Sequence, residues 1–475
     1  PRRPFVDGTA ANAYYSPDRK ALLFGYFAAS ESANGKVLPG GLVFSALSHD
    51  IIAHETTHAL LDGLHRRFRE PTNRDVFAFH EAFADIVALF QHFTIPEALR
   101  QQIARTRGDL QRENLLAQLA VEFGQATRGH GALRDAIGKF ENGKWEPNPP
   151  LGRAKFNELN EPHDRGAVLV AAVFDAFLRI YRGHVTELIR LATGGTGVLP
   201  EGDIPAALVD QLARKAAAVA SQVLTICIRA LDYVPPTDIT FGDYLRALIT
   251  ADRDLVPDDK RTYRVAFISA FRDRGIFPAE VKSLSVGSLA WEPPPIPLRN
   301  IRTVLEKMSL SWDLNTDRRR AYDVSLGNAR KMHAWLMNPE QVSDAEVAAL
   351  GLFRGIDTKE IGTMTAKLSG IEVHSVRPAR RVAPDGRARA DLVIEITQRF
   401  QLKPPYSGRF RGGCTLLVDL EENEVRYFVR KRVDSGARVE AQLSFQQSLR
   451  DELRDTYFAG SLQEAEPFAM LHRRH

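Results

Sequence analysis

Disulfides cannot be what holds this chain together, because its 475 residues include only two cysteines, Cys227 and Cys414. Cys227 stands in the apolar run Val223-Leu224-Thr225-Ile226-Cys227-Ile228, where it reads as a small core residue. Such cysteine usage suits a reducing cytoplasm, the expected compartment, with secretion as the alternative. Long apolar runs are missing as well: no stretch reaches the roughly 18 uninterrupted apolar residues that mark a membrane helix. A charge excess is also lacking. Lys and Arg exceed Asp and Glu by 63 − 59 = 4, too few to argue for nucleic acid as a partner. The opening Pro1-Arg2-Arg3-Pro4-Phe5 has neither an initiator Met nor an apolar signal core. The expectation is therefore that the chain is the downstream part of a longer precursor.

What is present is the balance of a globular protein, 44% hydrophobic and 26% charged. The length calls for two or three domains. Residues 10–45 look β-like, with the turn Ser16-Pro17-Asp18 ahead of Ala21-Leu22-Leu23-Phe24. Apolar spacing then predicts helices over 50–68, 75–93, 97–106, 110–127, 165–182, 204–231 and 241–252. Trp291-Glu292-Pro293-Pro294-Pro295-Ile296-Pro297 reads as a stiff linker. Short helical patterns follow, and from about 360 the pattern turns to strands. Leu392–Ile396, Cys414–Val418 and Val425–Val429 are the clearest of these, the last two forming a hairpin around Glu421-Glu422-Asn423-Glu424. The fold class expected is α+β, divided into 1–280, 281–355 with the Pro-rich linker and a helical segment, and a β-rich accessory or regulatory domain over 356–475.

The chemistry lies in Ser48-His49-Asp50-Ile51-Ile52-Ala53-His54-Glu55-Thr56-Thr57-His58. Residues four apart share a helix face, so His54 and His58 can turn imidazole nitrogens toward one ion. Glu55, beside them, can reach a water at that ion without ligating it. An H-E-x-x-H pattern would arise by chance only about 0.02 times in a chain of this composition. A catalytic zinc takes three protein ligands and keeps a fourth position open. The next helix offers Phe79-His80-Glu81-Ala82-Phe83-Ala84-Asp85, in which Glu81 and Asp85 again share a face. A carboxylate ligand with a second carboxylate bracing a ligand histidine is the pairing that metal sites use. His80 points about 100° away around the helix and is the weaker ligand candidate.

Over roughly residues 5–277 this arrangement resembles the thermolysin-like zinc metallopeptidases, the gluzincins, which join H-E-x-x-H to a glutamate in a following E-x-x-x-D helix. The resemblance implies a mainly helical zincin domain with a short N-terminal β segment, and zinc endopeptidase activity on protein or peptide substrates. It also implies Zn2+ on His54, His58 and Glu81, Glu55 as general base, and Asp85 bracing a ligand histidine. Asn12-Ala13-Tyr14-Tyr15 resembles the edge strand whose Asn side chain and Ala carbonyl hold substrate backbone. His163, in Glu161-Pro162-His163-Asp164-Arg165-Gly166 ahead of an apolar helix, resembles the histidine that stabilises the transition state.

Two features depart from that family. No tyrosine stands in Leu64-His65-Arg66-Arg67-Phe68-Arg69, where the family has an oxyanion-stabilising tyrosine, so either Arg69 or a neighbour replaces it or His163 works without that help. Gln91-His92-Phe93 also stands in place of a calcium-binding acidic cluster. Only 53 residues precede His54, so an upstream segment or a partner chain is expected to complete the N-terminal lobe. The rival readings are a catalytically silent zincin scaffold that binds or regulates proteins, and a nucleic-acid-binding tail built on Arg426-Tyr427-Phe428-Val429-Arg430-Lys431-Arg432. On a strand, that alternation more readily means one buried and one wet face.

Overall fold

Two short antiparallel ribbons open the chain: β1 (Ala13–Ser16) with β2 (Ala21–Phe24), and β3 (Tyr26–Ala28) with β4 (Leu42–Phe44). The computed structural model describes residues 12–29, 40–112, 114–119, 134–141, 144–310, 317–355, 357–382, 386, 388–406, 408–451 and 467–472. It is mixed α and β, 51% helical and 19% strand. An isolated two-stranded ribbon is marginal in water, and β1 is held instead by α1 (His49–Leu64). The Tyr15 amide donates to Glu55 Oε2 at 2.9 Å, and the Tyr15 hydroxyl donates to Asp62 two turns further along at 2.9 Å.

Helices α2 (Arg74–Gln91) and α3 (Pro96–Thr106) follow. The side chain of Asn73 caps α2 by accepting from the Asp75 amide. The part of the helix expected over 110–127 that falls in the described residues is not α-helical. It is a turn, a 3-10 turn at Leu115–Ala117 and the strand β5 (Gln118–Leu119), paired with β6 (Arg134–Asp135). The reason is local: the Asn114 side chain caps the 3-10 turn by accepting from the Leu116 amide, a competing bond that Asn offers against continued helix. Residues 120–127 of that expectation lie outside the described part. β7 (Gly138–Glu141) and β8 (Lys144–Pro147) form a further hairpin.

The core of the first part is built from α2 together with α4 (Arg153–Glu158), α5 (Pro162–Ala192), α6 (Ala206–Ala230), α7 (Phe241–Leu255) and α8 (Tyr263–Asp273). Gly166 is what lets α5 lie close against α2. A Cβ there would stand 2.9 Å from the Ala78 carbonyl oxygen and 3.5 Å from Glu81 Cβ. Buried Asp75 ties three helices together, accepting from the Arg165 guanidinium on α5 and from the Phe241 amide at the start of α7. The stretch Ala206–Tyr233 is long and apolar enough to cross a membrane by length and composition alone. In this fold its Leu212, Ala216, Val223 and Cys227 are buried in the helical core.

The stretch read as a linker starts at Trp291, which is 8% exposed, donates its amide to Thr250 Oγ1 and lies under the Arg246 guanidinium at 3.5 Å. Around it come α9 (Val286–Leu289), α10 (Ile301–Leu305), α11 (Arg318–Met337) and α12 (Asp344–Ala349). The chain then enters a five-stranded antiparallel sheet of β9 (Thr358–Ile361), β10 (Met364–Val382), β11 (Ala388–Leu402), β12 (Arg409–Asp419) and β13 (Glu424–Lys431), in the order β13-β12-β11-β10-β9. The β12–β13 hairpin turns at 420–423, as its sequence indicated.

On β12 and β13 the expected wet face is covered, because apolar clusters pack against both sides of these strands. Leu417 and Val429 join the helical core of the first part, while Leu416, Val418 and Phe428 pack with Met332 and Leu336 of α11. The basic run of β13 is likewise engaged within the chain. Arg426 pairs with Asp254, Asp391 and Asp419, and Lys431 pairs with Asp243. After α13 (Gly436–Asp451), the short α14 (Pro467–Leu471) lies back against β1.

Candidate metal centre

His54 and His58 lie one turn apart on α1 with their Nε2 atoms 3.0 Å apart. From α2, Glu81 brings Oε2 to 3.3 Å from His54 Nε2 and Oε1 to 3.5 Å from His58 Nε2. Bonds of about 2.0–2.1 Å to a tetrahedral zinc imply ligand-to-ligand edges of about 3.3 Å. The three distances here, 3.0, 3.3 and 3.5 Å, lie around that value, the two to Glu81 being made by different oxygens of its carboxylate. Glu81 is 0% exposed, and its Oε1 has no hydrogen-bond donor. A buried carboxylate oxygen without a donor is costly unless something else satisfies it, and a cation at the centre of this triangle would do so. The residues present therefore fit a metal ion.

The supporting bonds set the tautomers. Asp85 Oδ1 sits 2.8 Å from His54 Nδ1. An ionised carboxylate only accepts, so Nδ1 carries the hydrogen and Nε2 turns its lone pair to the centre. His58 Nδ1 lies 3.4 Å from Nδ1 of His80. His80 thus stands behind His58 and outside the group formed by His54, His58 and Glu81. Burial, aided by the neighbouring His58, pushes its pKa well below the usual histidine value and keeps it neutral.

Glu55 is buried beside the two histidines, with Oε2 taken by the Tyr15 amide and Oε1 facing inward. His163 arrives from the first turn of α5, its Nε2 3.1 Å from Glu81 Oε2. One residue builds that corner: Glu161 caps α5 by accepting from the Asp164 amide, and its other oxygen holds His163 Nδ1 at 3.0 Å. Arg69, considered as a replacement for the family's tyrosine, has its guanidinium on Asp62 at 2.8 Å.

The field at the centre is negative. Burial opposes the charge on His54, but the hydrogen bond to Asp85, with Glu81 and Glu55 nearby, outweighs it and raises the pKa to about 9. On Glu81, burial would raise the pKa, yet His163, His472 and His58 hold it well below the usual carboxylate range. Burial likewise works against the Glu55 charge, and His472 with His54 and His58 keeps its carboxyl low. The ionised carboxylates of Glu55 and Glu81 favour positive charge between them, and a metal ion there would displace the proton that His54 otherwise holds.

One residue in this group carried no signal in the sequence. His472, at the end of α14, lies 391 positions from Glu81, with its Nε2 3.3 Å from Glu81 Oε2. The ligand atoms of His54, His58, Glu81 and His472 all lie within 4.8 Å of one another. The predicted backbone-holding groups are occupied by the same segment. The Asn12 side-chain amide donates to the Ala469 carbonyl at 3.2 Å, and the Ala13 carbonyl accepts from His472 Nδ1 at 2.7 Å. No spacing rule links such distant positions. The predicted residues Asn12, Ala13, His54, Glu55, His58, Glu81, Asp85 and His163 all gather at this centre. Comparison of the chain with protein-family models, with curated proteins and with solved structures finds no match in any of the three.

Proposed function

We propose that the chain is a zinc-dependent endopeptidase of the thermolysin-like kind, with zinc held by His54, His58 and Glu81. The observation that carries this reading is the convergence of the two Nε2 atoms, 3.0 Å apart, with the Glu81 carboxylate, whose Oε2 lies 3.3 Å from one and Oε1 3.5 Å from the other. Two imidazoles and one carboxylate are a zinc donor set, whereas calcium and magnesium prefer oxygen alone. When bound, zinc would supply a Lewis acid that polarises a peptide carbonyl and lowers the pKa of water toward 7.

The chain's own residues do the rest. Glu55, fixed by the Tyr15 amide through one oxygen, uses the other to take the proton of the attacking water and to pass it to the leaving amine. His163, acting as an imidazolium with its Nδ1–H held by Glu161, directs its Nε2–H toward the oxyanion. Asp85 keeps His54 in the ligating tautomer. Asn12 and the Ala13 carbonyl offer hydrogen bonds to the backbone of an extended peptide laid along β1. A second reading, a silent metal-holding scaffold, is favoured by His472, since a centre closed by four protein ligands is structural in kind.

The two readings separate in the Glu55→Gln variant of the zinc-loaded chain. Under the peptidase reading it keeps its zinc and loses peptide cleavage by at least about 10³. Cleavage at the unaltered rate in that variant would overturn the reading.

A further inference from the structure

We infer that the segment 467–472 is a built-in inhibitor, in which His472 is a fourth metal ligand standing where the reactive water must stand. This rests on the peptidase reading for its consequence, and on geometry alone for the ligand assignment. The Ala13 carbonyl can only accept, so His472 Nδ1 carries the hydrogen and Nε2 presents its lone pair. That Nε2 lies 3.3 Å from Glu81 Oε2, the same edge length that Glu81 makes with His54. His54 and His472 are therefore set by the same device, one through Asp85 and the other through a backbone carbonyl. Nδ1 of His472 is also 3.3 Å from Glu55 Oε1, the oxygen of the base left free by Tyr15. With His472 seated, both the fourth coordination position and the inward oxygen of the base are taken.

The rest of the segment competes for the substrate's place. The Ala469 carbonyl takes the Asn12 amide, and His472 takes the Ala13 carbonyl, the two groups that would hold a peptide backbone. Phe468 anchors the segment, 0% exposed, with its ring stacked on His58 at 4.5 Å and 6.0 Å from the ring of Tyr15. Ala469 and Leu471 complete an apolar cluster with Tyr14, Phe77 and Phe445. A peptide cannot enter along β1 until this segment leaves.

The test is made on the full chain loaded with cobalt or zinc, unaltered and as His472→Ala and Phe468→Ser. Cobalt is read by its visible absorption during a thiocyanate titration, and zinc by the rate of cleavage of an unstructured peptide mixture. Thiocyanate should leave the spectrum of the unaltered chain unchanged and shift that of His472→Ala, with Phe468→Ser responding in the same direction. Cleavage should rise at least about tenfold in both variants. Thiocyanate binding the unaltered chain as tightly as His472→Ala would overturn the ligand assignment. Equal, measurable cleavage by all three chains would overturn the inhibitory role while leaving the peptidase reading intact. No cleavage by any chain, with the spectra differing as stated, would sink the peptidase reading and leave His472 as the fourth ligand.

Discussion

Replacing Asp85 by Ala should weaken metal binding 10–100-fold without unfolding the chain. Asp85 Oδ1 is 2.8 Å from His54 Nδ1, and the two side chains are 5% and 6% exposed. Truncation leaves the Nδ1–H of a buried imidazole without its acceptor, an omission that costs about 1–3 kcal/mol. Loss of a carboxylate behind a ligand histidine lowers metal affinity about 10–100-fold, and at about 1.4 kcal/mol per decade that is about 1.4–2.8 kcal/mol. The two estimates overlap, which is expected if one hydrogen bond accounts for both. Asp85→Asn should lose less, because its amide oxygen can still accept from Nδ1 though without the charge. The assay is competition for zinc with a chromophoric chelator at fixed pH, with circular dichroism of the metal-free variants as a check on folding. An affinity within twofold of the unaltered chain, in a folded Asp85→Ala protein, would refute the reasoning.

Other perturbations probe the corners of the site and the packing behind it. His163→Ala should keep the metal and lower turnover about 10²–10³-fold, as for a lost oxyanion donor, read by zinc content and steady-state rate. Asp254→Ala should destabilise the fold by about 1–3 kcal/mol in urea unfolding, because Arg381, 3% exposed, would keep Asp391 but lose its second buried acceptor; no measurable loss would contradict the packing of the sheet on α7. Burial, with the charges of Arg67 and Arg411, lowers the pKa of His374 from 6.5 to about 4. Between those two pH values the unfolded chain binds more protons than the folded one, so stability falls as pH drops from 6.5 and levels off below about 4. The contribution is at most about 3 kcal/mol, and His374→Gln should flatten that part of the curve.

Legibility in the sequence followed the range of the interactions. His54, Glu55 and His58, like Glu81 and Asp85, are set by helical spacing, so one helix and then the next declare their faces without any tertiary knowledge. The β12–β13 hairpin was readable for the same reason, with a polar turn between two β-branched runs. The stretch 110–119 misled because Leu116 and Leu119, three apart, suit a helical face, while the Asn114 side chain diverts the backbone into a 3-10 turn. The strand through Arg426–Arg432 reads as having one wet face, because alternation along a strand does not say what lies beyond it. Leu416 and Leu417 point to different hydrophobic clusters, and only the folded chain shows that both sides are covered. His472 was invisible: nothing in Pro467-Phe468-Ala469-Met470-Leu471-His472 has metal-ligand spacing, and its partners lie near the other end of the chain.

The central claim is that Glu55 performs hydrolysis at a metal held by His54, His58 and Glu81. Its most direct test digests a mixture of unstructured peptides with the zinc-loaded chain and with His472→Ala, each alone and combined with Glu55→Gln, while zinc content is measured on the same samples. New peptide termini should appear with His472→Ala, be scarce with the unaltered chain and vanish in both Glu55→Gln proteins, at about one zinc per chain throughout. New termini that persist in the Glu55→Gln chains, or none from any chain fully loaded with zinc, would contradict it.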